Sequence, residues 1–329
     1  IAGDELDSKN VENLIAVGFL RMGPWEQTGM SVAAVTRQFF LDDVTDSVGQ
    51  VFLGHALQCA RCHDHKFDPL PTRDYYSMQA VFANTQFAEV NAAFQPGENK
   101  DGFEVHKKYH QLRDDENKLM LGGLPKERVS PNDFGRERLG RKWSKLISWG
   151  HDRYRPIAYT VYNGKPRDQK NVSSRLFKPK VNSEARIVPE KTAILTGGDL
   201  FSPADPVEPG VLSVVGLKAD IPKEVNGRRT ALAKWITHKD NPLTARVMVN
   251  RVWQYHFGRG LAGSPNNFGA TGKKPTHPDL LDWLASEFMA KGWSVKKLHR
   301  LIMTSETYRR ASTHPDIDQL AKLDSGGNR

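Results

Sequence analysis

Two cysteines, and only two, occur in the 329 residues, and they stand three apart in Cys59-Ala-Arg-Cys62-His63. A pair so close staples nothing beyond its own turn, so this chain is no disulfide scaffold and must bury enough apolar surface to fold unaided. Its length suffices for roughly two domains of about 150 residues. Apolar residues recur at helical spacing over 7–20 and again over 31–58, which predicts a first helix and then one long or broken helix that delivers Cys59 at its end. Asp68-Pro69-Leu70-Pro71 breaks the chain, and Thr72 stands as the cap of a helix over 74–84 striped with Tyr75, Met78, Val81 and Phe82.

From 87 to 129 the sequence turns polar, with charged helical sequence over 107–121 ended by Gly122-Gly123 and Pro125. Clusters of β-branched residues predict short strands at 157–162 and 192–195. Residues 201–210, with Pro203, Pro206 and Pro209, read as extended linker. Past 228 the pattern predicts helices over 229–238, 244–257, 279–291 and 295–308 that pack as one bundle. The expected fold is mainly α with a small irregular α+β connector: a helical motif domain over 1–130, the connector over 131–225 and a C-terminal helical domain over 226–329. No apolar run approaches the roughly 18 residues of a membrane span.

Forty-seven Lys and Arg against 38 Asp and Glu give a formal charge of +9. The positives are dispersed among acids, without an arginine-rich arm, so nucleic acid is not the expected partner.

C-x-x-C-H is the spacing of covalent haem attachment. Two thiols add to the vinyl groups of one porphyrin edge, and the adjoining imidazole reaches the iron as proximal ligand. Read so, Cys59, Cys62 and His63 hold haem c. Met78 is then the nearest downstream distal ligand, with Met22, Met30, His106 and His110 as alternatives. Three other readings stay open. One is a redox dithiol, which wants a βαβ setting. Another is a zinc or non-haem iron site in which Cys59, Cys62, His63 and His65 of CARCHDH act together, in a metal-binding protein or a glycan-processing enzyme. The last is a local disulfide or two inert thiols. In the haem reading His65 bonds a propionate or a carboxylate such as Asp64 or Asp68, or ligates a separate metal.

The run VFLGHALQCARCHDHKFDPLPTRDYYSMQAVFANTQ resembles the planctomycete-type cytochrome c domain. LAKWITHKDNPLTARVMVNRVWQYHFGRGL, NNFG and THPDLLDWLASEFMAKGWSVKKLHRLIMTSETYRRAS resemble its companion C-terminal domain. The resemblance implies covalent haem at Cys59 and Cys62, His63 as proximal ligand, an unidentified redox partner protein, and electron transfer or redox support in the periplasm or at the cell surface, in the service of polysaccharide use. It also implies an export signal upstream of Ile1.

Two further patterns carry candidate chemistry. Arg246, Asn250 and Arg251, with Trp253 and His256 beyond them, could grip an anionic glycan, a sulfate or a haem propionate; the competing reading pairs the arginines with Asp240, Asp279 or Glu287. Gly269-Ala-Thr-Gly272-Lys273-Lys274 echoes a phosphate loop but lacks Gly at Asn267 and Ser or Thr at Lys274.

Overall fold

The computed structural model describes residues 1–23, 32–98, 100–151, 156–165, 187–310 and 316–323. Helices α1 (Gly3–Leu6) and α2 (Val11–Ala16) open the chain, α3 (Ala33–Val48) and α4 (Thr72–Val81) flank the cysteine motif, and β1 (Thr85–Asn91) follows. The long helices α5 (Asp101–Gly122) and α6 (Pro131–His151) lead to β2 (Ile157–Asn163), β3 (Thr192–Leu195) and β4 (Pro203–Val207). The C-terminal part comprises α7 (Arg228–Ile236), α8 (Thr244–Phe257), α9 (Pro278–Ala290), α10 (Val295–Met303), α11 (Glu306–Arg309) and α12 (Ile317–Leu323). The protein is mainly α with a small β component. No described helix is long and apolar enough to cross a membrane.

The chain packs into two units, neither contiguous: Ile1–Ala33 with Asn84–Val188, and Ala34–Ala83 with Pro189–Arg329. This grouping cuts across the segments 1–130, 131–225 and 226–329, because the motif segment shares its packing with helices far downstream.

In the first unit β1 pairs antiparallel with β2 from Thr85 opposite Asn163 to Asn91 opposite Ile157. The sequence pattern predicts no strand at β1. Its first four residues are all buried, so the alternation that marks a half-buried strand is absent. Arg21 locks the pair: it donates to the Ala88 carbonyl at 2.8 Å and lies 5.0 Å over Phe87 and 4.9 Å over Tyr159. Helices α5 and α6 form a hairpin through Asn117, whose Nδ2 donates to the Gly140 carbonyl at 3.2 Å and to Ser144 Oγ at 2.7 Å. The expected irregular connector thus begins with a long helix. Its start signal was there in Ser130-Pro131, since Ser130 Oγ accepts the Asp133 N–H at 3.1 Å, but Gly135 and Gly140 obscure the helical pattern.

In the second unit the helix expected over 31–58 breaks. It leaves α geometry after Val48, makes a π-type turn over Gly49–Leu53 and stops at Gly54 with φ 61°. A Cβ there would lie 2.7 Å from Val247 and 2.9 Å from Phe268, so the stop fits only glycine. Cys59 therefore sits on a separate 3₁₀ turn, Gln58–Arg61, rather than at the end of the long helix. Thr72 is the first residue of α4 rather than its cap, and its N–H is taken by Asp64 Oδ1 at 2.7 Å.

The segment read as linker over 201–210 contains β4, which pairs antiparallel with β3. Proline lacks only the donor, and a two-stranded sheet leaves each strand an unpaired edge on which that loss costs nothing. Helices α8, α9 and α10 bury Val249, Val252, Leu281, Leu284, Phe288, Leu298 and Ile302 against one another. The helix expected over 295–308 divides at Ser305, whose hydroxyl accepts the Tyr308 N–H and starts α11.

Candidate functional site

The cysteine turn is held from behind. Ala60, the first residue between the cysteines, is completely buried, while Cys59 and Cys62 are exposed and unpaired as thiols. Arg61, the second, forms an ion pair through Nε with Asp42 Oδ2 at 2.9 Å, and its carbonyl accepts the Tyr76 hydroxyl at 2.8 Å. Asp42 on α3 also accepts from Gln38 Nε2 at 2.8 Å, the Tyr75 hydroxyl at 2.7 Å and Gln79 Nε2 at 2.9 Å. One buried carboxylate thereby ties α3 and α4 to the turn. Burial, reinforced by that carboxylate, raises the Tyr75 hydroxyl well above the ordinary phenol value; burial likewise pushes Tyr76 up to about 12. On the entering side, Asp46 Oδ1 accepts the N–H groups of Leu57 at 2.7 Å and Gln58 at 2.9 Å.

His63 is exposed, and its Nδ1 stands 2.7 Å from the Asp64 carbonyl. A carbonyl only accepts, so Nδ1 carries the proton and the lone pair resides on Nε2, the tautomer a metal ligand needs. Beyond the turn, Gly197 and Gly198 adopt φ values of 60° and 77°. A Cβ on Gly198 would fall 2.7 Å from Cys62 Sγ, so the backbone passes directly over the second sulfur.

Among the CARCHDH donors only His65 lies in a described group able to hold one ion, and its companions are His55 and Asp68. His55 follows the Gly54 stop. Asp68 is fixed through Oδ1, which accepts the Ala270 N–H at 2.6 Å. Its Oδ2 stands 3.4 Å from His55 Nε2 and 3.1 Å from His65 Nδ1. Burial, outweighing the pull of Asp68, lowers the His55 value. The 269–274 stretch that echoed a phosphate loop serves here as the wall of this cluster: a Cβ on Gly269 would lie 2.5 Å from Asp68 Oδ1 and 2.7 Å from His55. His55, Asp42 and Asp46 carry no signal in the sequence, since each acts through partners beyond its own turn, and Gly269 stands out there only within the incomplete phosphate loop.

The other candidates are dispersed. Met78 is completely buried on α4, and Met22 is exposed. His106 and His110 lie on α5 in the first unit. Met30 falls outside the described residues. The sheets of the described residues are antiparallel pairs, which is not the βαβ setting of a redox dithiol. Arg246 pairs with Asp282 rather than with Asp240, Asp279 or Glu287. Arg251 donates to the carbonyls of Val51 and Gln50 at 2.6 Å each and to Asn266 Oδ1 at 3.0 Å. Asn250 is buried and bridges the N–H and carbonyl of Ala262. Both guanidiniums are engaged within the protein, Arg251 as the brace of the π-type turn.

Residues 1–87 match a family described as PSCyt2, protein of unknown function (DUF1549), and residues 228–326 match PSD1, protein of unknown function (DUF1553). Both are planctomycete cytochrome c-associated domains. No curated protein and no solved structure matches the chain.

Proposed function

We propose, from a chain carrying two planctomycete cytochrome c-associated domains, that Cys59, Cys62 and His63 hold a covalent haem c and that the protein transfers electrons, or supports a redox reaction, outside the cytoplasm. The observation that carries this reading is the state of His63: an exposed imidazole with Nδ1 held by the Asp64 carbonyl at 2.7 Å, next to Cys62 and four residues from Cys59, both exposed and unpaired as thiols. Each thiol would add its S–H across one vinyl group, forming a C–S bond and placing the hydrogen on the neighbouring carbon. Bound haem supplies a one-electron couple at iron.

The chain's own contribution is positioning. Buried Ala60 and the Asp42–Arg61 ion pair anchor the short turn that carries both exposed cysteines. The Asp64 carbonyl orients the His63 ring, and the Asp64 carboxylate holds the start of α4. Gly198 leaves room for backbone beside the second sulfur. The partner is a redox protein, and the compartment is the periplasm or the cell surface, where c-type haem is attached.

Production with a c-type haem maturation system tests this. The protein should give a c-type pyridine haemochrome spectrum, with colour that survives acid-acetone extraction, and Cys59→Ala or Cys62→Ala should lose or weaken the covalent attachment. Covalent haem unchanged in both variants sinks the proposal. Met78→Ala examines the distal position: an altered oxidised spectrum and tighter cyanide binding are expected if its sulfur reaches the iron.

A further inference from the structure

Asp68 presents an electrostatic problem. Its side chain is 9% exposed, and the buried Oδ2 has no hydrogen-bond partner among the described residues. A buried carboxylate oxygen without a donor costs several kcal/mol at about the low end of charge burial, so it calls for a compensating positive charge. The two groups facing it are imidazoles. His65 Nδ1 accepts the N–H groups of Asp68 at 3.1 Å and Phe67 at 3.4 Å, so the ring nitrogen 3.1 Å from Oδ2 carries a lone pair, one that a metal ion would take over from these backbone donors. His55 Nε2 stands 3.4 Å away without making a hydrogen bond. Oδ2 thus meets a ring nitrogen of each histidine, and one ligand atom from each of the three residues lies within 4.8 Å of the others.

We propose that His55, His65 and Asp68 bind one divalent transition-metal ion of the zinc class, at a site separate from the Cys59-Cys62-His63 motif. With ligand bonds of about 2.0–2.2 Å, neighbouring donors around zinc stand about 3.3–3.6 Å apart in a tetrahedron and about 2.8–3.1 Å apart in an octahedron. The separations of 3.1 Å and 3.4 Å fall in these ranges before any rearrangement. Imidazole and carboxylate together suit zinc or ferrous iron rather than calcium or magnesium. The site is also built. The Ala270 N–H occupies Oδ1 and so aims Oδ2 at the histidines; the Phe268 N–H bonds the Gly54 carbonyl at 2.9 Å beside His55; Gly269 allows the wall to close. Three protein ligands leave at least one position for water or an anionic oxygen donor. The side chains of His55 and His65 are 15% and 12% exposed, enough for solvent to reach it.

Calorimetric titration of zinc(II) into the full chain, after chelator treatment, decides the matter. One zinc per chain is expected in the wild type and equally in Cys59→Ser/Cys62→Ser, which removes the thiols as competing ligands. Affinity should fall at least about 100-fold in His55→Ala and in Asp68→Asn, beyond the loss expected for an outer partner. Asp68→Asn keeps the size of the side chain and its acceptor for Ala270, and circular dichroism verifies the fold. Gly269→Ala, which crowds the carboxylate, provides a second route to weaker binding without touching a ligand. Absence of zinc binding in the wild type, its persistence in Asp68→Asn, or its loss with the thiols overturns the proposal. Haem content measured on the same variants keeps the two proposals apart, because failure of covalent haem leaves the zinc result untouched.

Discussion

The two units solve the same problem by opposite means. In the first, α5 runs over 22 residues yet buries only Asn117, leaving Leu112 and Leu119 exposed. In the second, α4 has 10 residues and buries Tyr75, Tyr76, Met78, Gln79, Ala80 and Val81. Long helices carry themselves on internal hydrogen bonds and need few neighbours, whereas a short helix is marginal alone and persists through what it packs against. The cysteine motif and the His55, His65 and Asp68 cluster both lie in the second kind of architecture. There, side chains reach backbone far away in sequence: Asp46 to Leu57 and Gln58, Arg251 to Gln50 and Val51, Asp68 to Ala270.

The strongest test of this contrast is Asp42→Ala. It leaves Arg61, Tyr75, Gln38 and Gln79 without their shared acceptor, and a loss of about 3–5 kcal/mol is expected, as for one partner removed from a buried charged network. Urea unfolding, with hydrogen exchange to localise the loss to residues 34–83, measures it. A loss below about 1 kcal/mol would mean that apolar packing, not this network, holds the turn.

A smaller effect concerns acid and base. Burial raises Glu190 to about 7, with Arg37 pulling the other way. The folded form then holds the Glu190 proton more tightly than the unfolded form, so this group's contribution to stability declines as pH rises from about 4.5 to about 7. Urea midpoints across that range should show the decline in the wild type and a flatter profile in Glu190→Gln. A contribution that grows with pH would show the ionised pair with Arg37 to prevail.

The least effect is expected on the other side of the comparison. Leu119→Ser on α5, at 78% exposed, should change stability by less than about 0.5 kcal/mol. A larger loss by the same assay would show that the exposed apolar residues of α5 are covered in solution.

What the sequence made legible follows the same division. The C-x-x-C-H spacing is readable as a pattern, because its residues are near neighbours in the chain. Helix α8 (Thr244–Phe257) and strand β3 (Thr192–Leu195) stand where periodicity and β-branching put them. A break is among the readings of 31–58, but its place at Gly54 is masked because apolar spacing continues through Val51, Phe52 and Leu53 in π geometry. The triad of His55, His65 and Asp68 was half legible: two members follow the motif, but the wall at Gly269 and Ala270 lies about 200 positions on. Local patterns report local bonds. A carboxylate whose partners arrive from the far end of the chain leaves no periodic trace.

The brace at Arg251 has a consequence for the order of assembly. Its hydrogen bonds to Gln50 and Val51 span 201 and 200 positions, so during synthesis the cysteine turn is made long before the residues that fasten its approach. The nascent chain carries Cys59 and Cys62 on a segment still free to bend, and closure waits for α8 to be completed. The approach to the cysteine turn is therefore fastened last, once the C-terminal helices have formed.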